Sequence, residues 1–97
     1  MTKRELVQAK REEILALAEK YELTDVRLFG SVARGDEEPG SDVDIFVKRN
    51  PGSDAYLVFD FKDSMAALLE CKVDVIVEQV LMKPRLRDRI LKEAVAI

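Results

Sequence analysis

Histidine is missing from all 97 residues, and cysteine occurs once. Without imidazole there is no His-based triad, no histidine metal ligand and no histidine general base, so catalysis must run on carboxylates, hydroxyls, lysine or arginine. The lone Cys71 cannot close an intramolecular disulfide or build a cysteine zinc site, and a reducing, cytoplasmic setting is the expectation. Long hydrophobic runs are also missing. The longest, over 14–18, 55–59 and 65–69, reach five residues, far short of a membrane span, and the charged N-terminus has no signal-peptide core. We expect neither membrane insertion nor export. What is present is the balance of a globular domain: 47% hydrophobic and 36% charged residues, with 16 Lys and Arg against 19 Asp and Glu for a net charge of −3. A chain this short buries roughly 60–68% of its unfolded surface, so we expect one domain over 1–97 with a small core that a partner subunit can help stabilise.

Leu6, Ile14, Leu17, Ala18 and Tyr21 recur at helical spacing and predict an amphipathic helix over 3–21. The segment 26–29 reads as a short strand stopped by Gly30-Ser31, with Ser31 capping a brief helix through Val32 and Ala33. From Arg34 to Ser41, two glycines, Pro39 and four charges make a surface loop, in which Asp36, Glu37 and Glu38 are read as solvated. The next strand, 43–48, alternates, with Val43, Ile45 and Val47 on one face and Asp42, Asp44 and Phe46 on the other. After the Asn50-Pro51-Gly52 turn, Leu57, Phe61, Met65, Leu68 and Leu69 predict a second long helix over 54–70. Phe59, Phe61 and Met65 read as core, yet Leu57, Val58 and Phe59 together exceed what one face needs, which suits a subunit interface. The segment 73–77 reads as a third, largely buried strand, and Pro84 opens a last helix with Leu86, Ile90 and Ala94 inward. The order α-β-α-β-α-β-α predicts an α/β (α+β) fold, a small sheet against helices.

The informative constellation is Gly30-Ser31, ten residues, then Asp42-Val43-Asp44, with Asp74 in the following strand. Successive same-face strand residues lie about 6.5–7 Å apart, close enough for two carboxylates to lean toward a pair of cations roughly 3.5–4 Å apart. Oxygen-only donors favour Mg²⁺ or Mn²⁺. Gly30 lets the backbone turn sharply and approach a ligand, while Ser31 offers a hydroxyl and an amide N–H at a helix N-terminus, a seat for phosphate. Arg34 is near enough in sequence to pair with phosphate oxygens. Asp74, a charge in an apolar strand, calls for a cation, a hydrogen bond or a raised pKa.

This pattern, with Arg34-Gly35 inside it and Asp74 beyond, resembles the signature of polymerase-beta-type nucleotidyltransferases. The phrase from Val26 to Val47, the helix ending in Tyr21-Glu22-Leu23-Thr24 and the Pro84-Arg85-Leu86-Arg87 tail resemble the minimal nucleotidyltransferase (MNT) family in particular, over nearly the whole chain. The resemblance implies a mixed sheet flanked by helices, with Ser31 holding the triphosphate of ATP. It implies two Mg²⁺ ions on Asp42 and Asp44, with Asp74 completing the metal site and helping to activate an attacking hydroxyl. It further implies transfer of a nucleoside monophosphate, AMP from ATP, to a hydroxyl of a HEPN-domain ribonuclease toxin, which the chain neutralises as an antitoxin. A hetero-oligomer with that partner is expected, with a homodimer as the other assembly.

Each feature has a plainer reading. Gly-Ser after a strand is an ordinary turn, and Asp-x-Asp can be the solvent face of an edge strand. Their order on these elements is what points to the site. Arg85, Arg89 and Lys92 form a basic stripe that is read as a solvated face, since the chain is net negative and lacks interleaved aromatics; no direct nucleic-acid binding is expected. Two other functions stay open: an antitoxin that blocks its partner by binding alone, and an enzyme that adenylylates a small molecule such as an antibiotic.

Overall fold

The computed structural model describes residues 1–79 and 82–97. Helices α1 (Lys3–Ala9) and α2 (Arg11–Lys20) precede strand β1 (Leu23–Phe29), and a short helix α3 (Gly30–Arg34) leads through a loop into β2 (Val43–Arg49). Helix α4 (Leu57–Leu69), strand β3 (Val73–Val77), helix α5 (Pro84–Glu93) and a two-residue strand β4 (Val95–Ala96) complete the chain. The predicted helix, strand and sheet classes hold, but β1 starts at Leu23, taking in Leu23-Thr24 from the expected helix end, and α4 starts at Leu57 instead of 54; two departures go beyond such shifts of boundary. The first helix is broken at Lys10, whose φ of −99° and ψ of 11° turn the chain between α1 and α2. A Thr2–Glu5 capping box starts α1 by satisfying two otherwise orphaned N–H groups. The second departure is β4, too short for any periodicity to reveal.

The sheet order is β3-β2-β1-β4. β1 is antiparallel to β2 and to β4, while β2 and β3 run parallel and are joined by α4, the crossover that a parallel pair requires. Val43, Ile45 and Val47 are fully buried and pack with Ile14 and Ala18 of α2 and Phe61, Met65 and Leu69 of α4 in one cluster. At about 1.5–3 kcal/mol for each large side chain withdrawn from water, this face of β2 anchors the fold. Phe46, on the other face, is also buried and meets Phe29 edge-on at 6.3 Å, and with Ile90 of α5 it stands outside the main cluster.

Four expectations need correction. Asp74 is exposed, because β3 is an edge strand in the described sheet and the carboxylate end of its polar face is open, so burial cannot be the reason for a charge there. Phe59 is 63% exposed and is not core. It lies 6.2 Å from the 75% exposed Tyr56 at the start of α4, an apolar pair on the segment expected to face a partner. Leu86 is exposed and Ala94 is the cap beyond α5, leaving Ile90 as that helix's buried residue. Finally, Ser31 lies inside the first turn of α3, whose N-cap position is Phe29, and no side chain caps it.

Candidate active site

The parallel register of β2 and β3 sets Asp44 beside Asp74, and the antiparallel register of β1 sets Phe29 on Asp44's other side. Paired residues of neighbouring strands share a face about 4.8 Å apart, so Asp74 stands next to Asp44, while Asp42 lies two residues before Asp44, just ahead of β2. The three carboxylates therefore form an L on the face that carries Phe29 and Phe46. Asp44 is the corner of that L, and its carboxyl is pushed above the usual aspartate value by burial, then by the charges of Asp74 and Asp42, with Arg34 opposing them.

The outer two are each partnered. Lys72 Nζ lies 3.7 Å from Asp42 and Lys62 Nζ lies 3.9 Å from Asp74. Among the described residues no three metal-ligating side chains converge as a bound cation would draw them. The donor set itself, carboxylate oxygens with no imidazole or thiolate, fits a hard divalent cation, and crowded negative charge at Asp44 is what such a cation would relieve. Neither lysine was singled out by sequence, since nothing in their spacing ties them to the aspartates.

Gly30 opens α3 directly beneath Asp44. Its φ is +76°, and a Cβ there would collide with Asp44 Oδ2 and sit 3.2 Å from Asp44 Cγ. Glycine is thus required twice, by backbone conformation and by the carboxylate packed against it. Ser31 follows, half-buried in the first turn of α3. The turn that carries the candidate phosphate seat and the carboxylate corner are therefore in contact at Gly30 and Asp44. Arg34 closes the same helix but is tied to carboxylates, with Nε 3.3 Å from Asp36 and Nη1 3.0 Å from Glu93 of α5. The loop acids are not merely solvated either: Asp36 holds Arg34, and Glu37 accepts the backbone N–H of Lys3 at 3.0 Å.

A model of the nucleotidyltransferase domain matches residues 10–97. The chain belongs to the nucleotidyltransferase domain family. A Methanocaldococcus jannaschii protein named "putative protein adenylyltransferase" is 28% identical over 93 residues, covering 96% of this chain and 95% of its own length. A solved structure described as a "putative minimal nucleotidyltransferase" superposes with a TM-score of 0.86 at 36% identity, covering 97% of this chain and 95% of that one. This likeness sets the chain among the minimal nucleotidyltransferases, and nucleotidyl transfer is its enzyme class. The same fold recurs, at 20% identity and a TM-score of 0.67 over 92% of this chain and 69% of that one, in a complex of a tri-AMPylated Shewanella oneidensis HEPN toxin with an MNT antitoxin.

A cavity of about 530 Å³ lies elsewhere, lined by Lys48, Arg49, Glu78 and Arg87 among others, at the C-terminal ends of β2 and β3. There Glu78, only 9% exposed, is held by Lys48 at 3.2 Å and Arg87 at 2.5 Å. No described helix is long and apolar enough to cross a membrane.

Proposed function

We propose that this single domain is a Mg²⁺-dependent protein adenylyltransferase that moves AMP from ATP to a hydroxyl of a HEPN-type toxin and thereby acts as its antitoxin in the cytoplasm. The observation that carries the reading is the corner at Asp44: one carboxylate with Asp42 just ahead of its strand and Asp74 across the ladder, resting on the glycine that opens the serine-bearing helix. Asp42, Asp44 and Asp74 would hold two Mg²⁺ ions, which would supply charge neutralisation at the entering and leaving oxygens. Gly30 allows the close approach of phosphate, and the Ser31 hydroxyl and amide hold it. Arg34 exchanges Asp36 and Glu93 for phosphate oxygens.

In the transfer, the acceptor oxygen bonds to the α-phosphorus as the bond from that phosphorus to the bridging oxygen breaks. Pyrophosphate leaves, and the acceptor's proton passes toward Asp74, which is exposed and able to receive it. The relative of nearly equal length named as a protein adenylyltransferase supports a protein acceptor, and the AMPylated toxin complex supports the HEPN class and AMP.

Intact-mass analysis of the co-expressed toxin tests the proposal. Wild type should add one or more AMP units, and an Asp42→Asn, Asp44→Asn variant should add none. Full neutralisation by that variant would establish binding alone as the function, and transfer only to a small molecule would overturn the protein acceptor.

A further inference from the structure

Helix α1 lies before the stretch matched by the family model, which begins at residue 10, yet three of its hydrogen bonds go to the segment that carries the site. The Lys3 amide donates to Glu37 Oε1 at 3.0 Å, and the Lys3 ammonium donates to the backbone carbonyl of Ser41. Arg4 Nη1 donates to the carbonyl of Ala33 at 2.9 Å. These contacts bracket the loop between α3 and β2: Ala33 is near the end of α3, Glu37 is mid-loop and Ser41 immediately precedes Asp42. On the other side of Asp42, the Val43 amide donates to the Lys72 carbonyl at 3.0 Å.

The backbone of Asp42 is therefore pinned at both ends, by Lys3 before it and by β3's approach after it. This matters because Asp42 precedes β2 and has no sheet pairing of its own to fix it, unlike Asp44. Position along a loop is otherwise the loosest part of a site, and a ligand displaced by an ångström binds its cation poorly.

We propose that α1 is a strap for the active site, with Lys3 and Arg4 as positioning residues that set Asp42 and the end of α3 for divalent-metal and nucleotide binding. The proposal rests on the carboxylate-site reading above. The two side-chain donors both bond backbone carbonyls, so their part of the role does not depend on loop side chains, and the capping box at Thr2 holds the first turn of α1 in the shape that aims both donors.

The test uses the full chain with a Lys3→Met, Arg4→Met variant, which keeps the apolar stems and removes the two side-chain donors while leaving the Lys3 amide bond to Glu37 in place. Mn²⁺ binding is followed by titration, and hydrogen exchange is followed over residues 36–43. We expect Mn²⁺ affinity to fall roughly tenfold, as for other groups that orient metal ligands, exchange to quicken in that segment, and Lys3→Arg to retain most of the affinity. Lys10→Met, which removes only the exposed Lys10–Glu13 pair, should change neither. If the double variant does not fold, Arg4→Met alone carries the same expectations at smaller size. Unchanged exchange, or Mn²⁺ affinity within about twofold of wild type, would overturn the strap while leaving the metal site standing. Failure of the wild-type chain to bind Mn²⁺ at all would overturn both.

Discussion

Asp44 and Asp74 face each other across the parallel β2–β3 ladder, so their separation is set by strand spacing and not by side-chain choice. The like charge of Asp74 adds to the burial that already raises the Asp44 carboxyl.

The sign of the resulting pH dependence is fixed. Asp44 titrates above the usual aspartate value of 3.8, so the folded chain holds this proton more tightly than the unfolded chain does. Its contribution is present at low pH and is lost as pH rises through the raised value. In metal-free buffer at pH 7, Asp44→Asn should therefore raise Tm by a few degrees, and the gain should vanish below pH 3.8. Adding Mg²⁺ should raise the wild-type Tm and leave the variant's unchanged, read by thermal denaturation with and without the ion.

Gly30→Ala and Gly35→Ala separate backbone strain from the contact with Asp44. Both glycines have positive φ, +76° and +80°, but only at Gly30 does a methyl group meet anything within 4 Å. Each substitution should cost about 1 kcal/mol for the left-handed backbone. Gly30→Ala should cost about 1–3 kcal/mol more by overpacking and should also abolish Mn²⁺ binding. Denaturant melts and metal titration of the pair give the comparison.

Two aromatic residues on α4 should behave oppositely. Phe61 is fully buried, and Phe61→Ala should destabilise by about 3–5 kcal/mol. Phe59 is 63% exposed, and Phe59→Ser should stay within about 0.5 kcal/mol of wild type in denaturant melts. If α4 meets the partner as its apolar surplus implies, Phe59→Ser will weaken the complex without touching the fold, visible as faster dissociation.

Glu78 provides a control for acid stability away from the site. Burial pushes its carboxyl up, but hydrogen bonds from Arg87 and Lys48 and their charges outweigh this and leave it below the usual 4.5. Its contribution is complete above pH 4.5 and is lost as pH falls through the depressed value. Glu78→Gln should accordingly lower Tm at pH 7, with the deficit shrinking toward pH 3, the reverse of the trend at Asp44.

Much of the site was legible because its parts are local. Asp42 and Asp44 are two residues apart at the start of a strand, and Gly30 opens a helix that must turn sharply out of a strand. The β-branched run at 73–77 placed Asp74 in a strand, but not at an edge, since edge or centre is decided by pairing over long sequence distances. Arg34's bond to Glu93, Glu37's bond to Lys3 and the lysines beside Asp42 and Asp74 escaped for the same reason: each joins side chains that no period relates. The break at Lys10 lacks proline or glycine, and β4 is a two-residue strand paired with β1.

That last pairing bears on how the molecule assembles. β1 finds β2 after a modest loop but must wait for residues at the far end of the chain before β4 can join it, a closure with a larger entropic cost. The sheet is thus expected to grow outward from its carboxylate-bearing side. Val95→Ala should speed unfolding while leaving the refolding rate nearly unchanged, and the nascent site should exist before the chain has closed its last edge.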